Sequence, residues 1–370
     1  MKSSAPAPLS ADGLEPHDRG VPWGTSEDDL VSVVIPARNE AANIASCIES
    51  VLGQTQSHLE VLVVDSGSTD ETALIVRRYA ALDPRVRLLT GVAGNIPKTL
   101  NSGLRAARGR WLVRVDAHST VPPEYIEKGL VHLRTGRWGG VGGRKNGVGI
   151  TPTGRVIAAA MASRFGVGDS TYHHGTRPQE VDHIPFGMYP TALLRELGGW
   201  DERLLSNEDF ELDFRLSKSG HRLLFDPELE IRWQCRQTLS ALFSQYLRYG
   251  RSKPAVAALH PESMRIRHLI PPLFIGWLVL TFLISMLNLL LALALLSAYL
   301  VPLVVAASLT ARKVKVRGAT ARAAGAFAAM HVGWGLGFWE GLALLLARKA
   351  TAAKTLTDPK GRDDQAIDGA

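Results

Sequence analysis

Cysteine is nearly absent from this chain. Cys47 and Cys235 are the only two, they lie far apart, and they match no metal or redox spacing. That excludes a disulfide-stapled scaffold, and reduced thiols in a cytoplasmic setting are the expectation. No apolar run long enough for a signal-peptide core occurs before Asp29, and this Pro- and Gly-bearing segment, 1–29, reads as a disordered tail. The formal charge is +7, yet the basic residues do not interleave with an aromatic stacking platform, so nucleic acid is not an expected partner. The most telling absence is charge itself: none occurs over the 41 residues from Leu269 to Leu309.

A near-neutral average hydropathy therefore hides a split chain of 370 residues, long enough for one sizeable α/β domain and a smaller appendage. Cationic clusters border the apolar part. Seven Arg or Lys and one Glu lie between Ile231 and His268, and five basic residues and no acid lie between Arg312 and Arg322. A lipid bilayer with anionic headgroups is the partner this pattern suits. An uncharged stretch of 41 residues is about twice the roughly 20 that cross a bilayer, so two helices turning near Asn288 to Leu291 are expected, with Pro271 and Pro272 at the entrance. The basic loop that follows is expected on the cytoplasmic side. Ala323 to Ala347 is a third apolar segment of open topology. Its Gly333, Gly335, Gly337 and Gly341 suit close helix packing, and its Glu340 is a functional candidate as an acid in an apolar helix.

In the first two thirds, β-branched runs alternate with helical periodicity. Val31 to Pro36, Glu60 to Val64, Val86 to Leu89 and Trp111 to Val115 read as buried strands. Helices are expected over Ala37 to Gln54, Glu71 to Leu82 and Lys98 to Ala107. This is βαβ rhythm, and it predicts a nucleotide-binding α/β domain with a mostly parallel sheet. Ligands of such sheets collect beyond the carboxyl ends of strands, where Pro36-Ala37-Arg38-Asn39-Glu40, Asp65 and Asp116 fall. Each alone has a plainer reading: Asp65, for instance, is equally a helix cap through the Asp-Ser-Gly-Ser-Thr turn. Gly139 to Arg144 suggests a strand with close backbone approach and lacks a Gly-x-Gly-x-x-Gly fingerprint.

Four ordered motifs, VSVVIPARNE (Val31 to Glu40), VVDSGSTDET (Val63 to Thr72), RVDAH (Arg114 to His118) and NEDFEL (Asn207 to Leu212), resemble those of family 2 glycosyltransferases over about Val31 to Asp226. The Asp-Ala-His variant with a basic segment near apolar helices is similar to succinoglycan-type exopolysaccharide enzymes. The resemblance implies a GT-A nucleotide-diphospho-sugar transferase domain over 30–230, an amphipathic membrane-interface segment over 231–268, transmembrane helices over 269–347 and a tail over 348–370. It further implies a cell-membrane, multi-pass protein with its catalytic domain cytoplasmic.

The same resemblance implies roles for residues. Asp65 would meet a uracil ring, beside Pro36, Ala37, Arg38 and Glu40; a guanine or thymine base stays open. Asp116, with His118 where Asp-x-Asp is commoner, would hold a divalent metal, Mn²⁺ or Mg²⁺, against the diphosphate. His118 alternatively only orients Asp116 or a phosphate, or is an ordinary loop histidine. Lys98 and Asn101 would face the diphosphate or sugar; Arg114, on the strand leading to Asp116, would bind substrate or serve as a buried ion-pair partner. Asp209 matches the catalytic base, with Glu208 beside it. An acceptor hydroxyl that attacks the anomeric carbon must lose its proton opposite the leaving diphosphate, and a carboxylate does that. The plainer reading is that Glu208, Asp209, Glu211 and Asp213 decorate a solvated helix start.

Gln245-Tyr246-Leu247-Arg248-Tyr249 resembles the Gln-x-x-Arg-Trp motif of polysaccharide synthases, so Gln245 and Arg248 would hold the acceptor end. Leu239, Leu242, Phe243, Tyr246 and Leu247 fall at helical spacing, as an interfacial helix requires. Trp200 either stacks on a sugar or is an interior ring. His173 and His174 lack a third ligand for zinc. The expected activity is transfer of a sugar from a nucleotide-diphosphate sugar to a polyprenyl-linked saccharide acceptor. A processive synthase, and a scaffold that binds nucleotide without transfer, are the alternatives.

Overall fold

The structure, a computed structural model, describes residues 29–91 and 94–357. The expected tail before Asp29, and the expected tail beyond Thr357, lie outside these residues. In chain order the elements begin β1 (Val31–Ala37), α1 (Ile44–Leu52), β2 (Leu59–Asp65), α2 (Thr72–Leu82), β3 (Val86–Leu89), α3 (Ile96–Ala106), β4 (Trp111–Arg114), β5 (Ser119–Thr120) and α4 (Tyr125–Leu133). There follow β6 (Gly140–Val148), α5 (Pro152–Met161), α6 (Arg164–Val167), α7 (Thr171–His174), β7 (Gln179–Val181), β8 (Met188–Pro190), α8 (Thr191–Glu196), α9 (Glu208–Lys218) and β9 (Leu223–Gln234). Four long helices complete the described chain: α10 (Leu239–Leu259), α11 (Ile266–Ser285), α12 (Leu289–Ala311) and α13 (Ala319–Thr357).

The expected parallel arrangement holds for β3-β2-β1-β4, whose β-branched runs are buried on both faces. Beyond β4 the nine-stranded sheet is mixed. Short β8 inserts antiparallel between β4 and β6, β9 runs parallel to β6, and β5 and β7 pair antiparallel with β9. The crossovers that make a strand legible as parallel are local, whereas this insertion is not, so helix-strand alternation does not reveal it. Helix α1 begins at Ile44 rather than just after Pro36 because the intervening residues bond outward, to the loop beyond β2, instead of to a helical turn.

The glycine-rich strand β6 shows why it is glycine-rich. Its register with β9 shifts between Gly143 and Arg144, and a Cβ on Gly143 would lie 1.6 Å from the Leu229 carbonyl oxygen. Asp226-Pro227 on β9 belongs to that irregularity, where a proline costs no ladder hydrogen bond. The irregularity sits directly before Arg144 and Lys145, and bulges of this kind re-aim side chains.

Among the described residues, α11 and α12 are the two helices long and apolar enough to cross a membrane. They divide the uncharged stretch at Met286–Asn288, where the Asn288 side chain accepts from the Leu291 amide at 3.0 Å. Their outer surfaces are unpartnered, with Leu287 91% and Leu290 80% exposed. Helix α13 joins them to the α/β domain. A Cβ on Gly337 would lie 2.1 Å from the Leu247 carbonyl oxygen and one on Gly250 2.0 Å from that of Trp334, so α10 and α13 touch backbone to backbone. Glu340, singled out as an acid in an apolar helix, is bound to Arg251 of α10 at 2.5 Å. It is thus a structural tie, a correction to its expected functional candidacy. The α/β domain runs to Gln234, a few residues beyond the expected 230. Helix α10 is clamped between α9 and α13 by buried Leu242, Gln245, Tyr246 and Val256, so its apolar face is a core face here.

Candidate active site

The loops after β1 and β2 are laced together. The Asn39 amide donates to Ser68 Oγ at 2.9 Å, the Thr69 amide to Asn39 Oδ1 at 2.8 Å and the Glu40 amide to Thr72 Oγ1 at 2.8 Å. Asn39 is left-handed, with φ 56°. Arg38 projects exposed from this loop, with Pro36 and Ala37 behind it. Asp65 is 6% exposed and accepts from Ser68 Oγ at 2.5 Å; it closes its own turn and does not cap the helix, which starts at Thr72 with Glu71 in the cap position.

Arg114 organises the reaction side. It is 3% exposed, and its Nε lies 2.9 Å from Asp116 Oδ1 while its Nη1 lies 3.2 Å from Glu208 Oε1 and contacts Asp209 Oδ1. Burial alone would strip its proton, but Asp116, Asp209 and Glu208 hold it charged, well above the ordinary arginine range. Burial pushes Asp116 up and is overridden by Arg114, which leaves the carboxyl below its usual value. Glu208 is raised, by burial first and then by Asp209, against the pull of Arg114.

Trp200 Nε1 also donates to Asp209 Oδ1, at 3.0 Å. The Trp200 ring is interior, 2% exposed, and it positions the carboxylate. Both contacts to Asp209 fall on Oδ1, and among the described residues no protein hydrogen bond falls on Oδ2. The acidic start of α9 is not a solvated surface: Glu208 is 7%, Glu211 1% and Asp213 0% exposed. Glu211 meets Arg215 at 2.7 Å and His260 at 2.9 Å, and Asp213 meets His183 at 2.7 Å. Asn207, just before the pair, is left-handed with φ 63°. Its Nδ2 donates to the Tyr249 carbonyl at 3.0 Å, and Ser206 Oγ to that of Arg248 at 3.2 Å. The Gln-x-x-Arg-Tyr helix is thereby docked on the acidic pair.

His118 Nδ1 lies 3.0 Å from Glu40 Oε1, which joins the β1 loop to the Asp-Ala-His turn. Burial raises Glu40, but its bonds to His118 and Asn43 outweigh that and leave it lowered. Nε2 of His118 and Oδ2 of Asp116 carry no protein hydrogen bond among the described residues. No group of three or more His, Cys, Asp or Glu side chains is arranged around a common metal position among those residues. Two donors fit a cation whose remaining ligands are phosphate oxygens and water.

Lys98 is exposed at the start of α3. Asn101 is buried and its amide is spent inside the protein: Nδ2 donates to the Trp200 carbonyl at 2.8 Å and to Glu202 at 3.0 Å, and Oδ1 accepts from the Trp200 amide at 2.9 Å. It braces the loop that carries Trp200. Arg248 is exposed, whereas Gln245 is 2% exposed, donates to the Tyr249 hydroxyl at 3.0 Å, and leaves Oε1 unpartnered.

Sequence reasoning missed Lys145. Its ammonium lies 4.7 Å from the Phe186 ring centre and 4.1 Å from that of Trp233. Burial pulls its pKa down to about 8, with Asp116 opposing. Phe186, at φ 52°, also lies under the Arg114 guanidinium at 5.6 Å. Asn39, Phe186 and Asn207 are the three non-glycine residues with positive φ among those described, and all three border this site. Such strain persists where surroundings over-determine it.

A second buried lysine is Lys253 of α10, 2% exposed, whose ammonium lies 3.3 Å from the centre of the Phe210 ring. Burial, then Arg267, pulls it from 10.5 to about 7. The unfolded chain binds this proton up to a higher pH than the folded one does. Lys253 therefore makes stability rise with pH above about 7 and toward its unfolded value. Lys253→Met is expected to flatten that slope and to raise the unfolding midpoint at pH 7 by at least about 2 °C. Thermal unfolding across pH checks this; parallel curves for parent and variant would refute it.

Residues 32–195 match the description Glycosyl transferase family 2. The chain is 34% identical over 260 residues to succinoglycan biosynthesis protein ExoA of Rhizobium meliloti (strain 1021), covering 66% of this chain and 77% of that protein. It is 21% identical over 235 residues, 61% of this chain and 73% of the other, to a dolichyl N-acetyl-alpha-D-glucosaminyl phosphate 3-beta-D-2,3-diacetamido-2,3-dideoxy-beta-D-glucuronosyltransferase of Methanococcus voltae. Among solved structures, a mannosyltransferase from Pyrobaculum calidifontis, in complex with GDP-Man and Mn²⁺, aligns with TM-score 0.56 at 19% identity, over 84% of this chain and 86% of that one. That likeness is one of fold, the GT-A type.

Proposed function

Because the chain belongs to glycosyl transferase family 2, we propose that it transfers a hexosyl unit from a nucleotide-diphosphate sugar, UDP-linked, to a polyprenyl-linked saccharide in exopolysaccharide synthesis. One observation carries this reading: Asp116, Glu208 and Asp209, 92 or more residues apart in sequence between the first and the other two, meet on the single buried guanidinium of Arg114. The name of the Rhizobium relative supports the exopolysaccharide assignment.

The nucleoside would lie over the laced loops, against Asp65 and Arg38. Asp116 Oδ2 and His118 Nε2 are the groups that would hold a divalent cation, which when bound neutralises charge on the departing nucleoside diphosphate. Arg114 and Trp200 fix Asp209 through Oδ1, and Oδ2 takes the proton of the acceptor hydroxyl. The hydroxyl oxygen bonds the anomeric carbon as the bond from that carbon to the diphosphate breaks, with inversion. No glycosidase-like second nucleophile is required, because the leaving group is already activated. Lys145, clamped between two aromatic rings beside Asp116, adds fixed positive charge.

The apolar surfaces of α11 and α12 and the basic loop 312–318 between α12 and α13 support a membrane location with the catalytic domain cytoplasmic. The test is turnover by detergent-purified protein on UDP-, GDP- and dTDP-sugars with Mn²⁺, Mg²⁺ or EDTA, with a polyprenyl-linked lipid extract added. Release of UDP, stimulated by Mn²⁺ and abolished by EDTA, is expected. Release of no nucleoside diphosphate in any combination would overturn the reading.

A further inference from the structure

A cleft of about 460 Å³ opens beside the reaction centre, between β6 and α5. Its inner end is formed by Lys145 and Trp233, and the Trp233 ring centre lies 5.9 Å from that of His118. Its outer end reaches Arg155 and Val314, the latter flanked by Lys313 and Lys315 in the basic loop between α12 and α13. The wall is mainly apolar, with Ala158, Ala159 and Met161 of α5 and Ala162 just past its end, and the polar side chains of Asn146 and His173 also line it. No acidic side chain lines it.

The opposite face of α5 anchors the cleft to the candidate membrane helices. Val156, Ile157 and Ala160 pack in one cluster with Leu303 and Ala307 of α12 and with Ala323 and Phe327 of α13, and Arg322 Nε donates to Thr153 Oγ1 at 3.3 Å. The cleft thus runs from the loop between α12 and α13 to the metal-side residues. It has cations at both ends and hydrocarbon in the middle. Its size lies in the range of sites that enclose a small amphipathic ligand.

Resting on the glycosyl-transfer reading, we propose that this cleft receives the isoprenyl diphosphate part of the lipid-linked acceptor. The diphosphate meets the Lys145 ammonium at the inner end, the first isoprene units lie along the alanine wall toward Val314, and the saccharide is presented toward Asp209. Helix α10, by contrast, offers the acceptor an exposed Arg248 and a buried, half-satisfied Gln245.

The test is binding of radiolabelled farnesyl diphosphate to the full-length protein in detergent, with the nucleoside diphosphate product present at saturation. Binding is expected to persist under that condition, to weaken at least tenfold in Ala162→Trp and in Lys145→Gln, and to exceed that of farnesol and of inorganic diphosphate. Ala162 is exposed just past the end of α5, so Ala162→Trp should unfold at the parent's temperature; Ala159→Leu fills the same space and is expected to act alike. Full displacement by the nucleoside diphosphate would mean the probe reads the donor site, and unchanged affinity in the folded Ala162→Trp would place it elsewhere; either result overturns the proposal. Failure of donor turnover in the parent chain would strike the transfer reading instead, and is a separate measurement.

Discussion

Arg114→Met is expected to give a protein that unfolds at a much lower temperature and turns over no donor. Arg114 is enclosed by Asp116, Glu208 and Asp209, and its removal leaves three carboxylates crowded in a site where burial already pushes Glu208 and Asp116 toward their protonated forms. Breaking one buried ion pair by removing a partner costs roughly 3–5 kcal/mol. For a domain of this size that corresponds to a fall of about 6–20 °C in the unfolding midpoint. Arg114→Lys keeps the charge but not the planar fork that reaches Asp116 through Nε and the other two acids through Nη1, so it should recover part of the stability and little turnover. Thermal unfolding and nucleoside diphosphate release, measured on both variants, check the prediction. A midpoint for Arg114→Met within about 2 °C of the parent's, the effect of no more than about 1 kcal/mol, would show that the cluster does not hold the site together.

Asp209→Asn separates chemistry from architecture. An amide has the shape of the carboxylate, and its oxygen can still accept from Trp200 and Arg114, as Oδ1 does now. It cannot take a proton from a hydroxyl. Loss of a positioned general base lowers rates by roughly 10²–10⁴. Transfer is expected to fall by at least about a hundredfold, while donor binding and the unfolding temperature stay near those of the parent. Single-turnover transfer and calorimetric nucleotide binding on one preparation read both quantities. Transfer at the parent's rate would move the base to another residue.

What the sequence made legible and what it hid divide along a physical line. The β-branched runs that became β1 to β4 are buried on both faces, and their carboxyl ends announced where ligands collect, so the Pro36-to-Glu40 loop, Asp65 and Asp116 were found as a group. The pairing of Asp116 with Asp209 was legible only through the family motifs, because it depends on β8 crossing between β4 and β6. Lys145 was hidden for a related reason: its direction is set by the irregularity at Gly143 opposite Pro227. A proline inside a strand-like run, facing paired glycines on another, was the available signal.

Charge patterning misled in two places. Glu340 looked functional because an apolar helix rarely carries an acid, yet its partner Arg251 lies 89 residues away on α10. Glu211 and Asp213 fitted a solvated helix start until their buried partners, Arg215, His260 and His183, came into view. Asn101 has an amide that suits sugar hydroxyls equally well, and only the Trp200 loop folded over α3 shows where it is used.

The mechanism proposed above, with Asp209 as the base of a single in-line displacement, predicts inversion at the anomeric carbon. Proton NMR of the purified product, comparing its new anomeric linkage with that of the donor consumed, tests this directly. An α-linked donor is expected to give a β-linked product; a product that retains the donor's configuration would contradict it, since retention requires a second nucleophile that this mechanism does not contain.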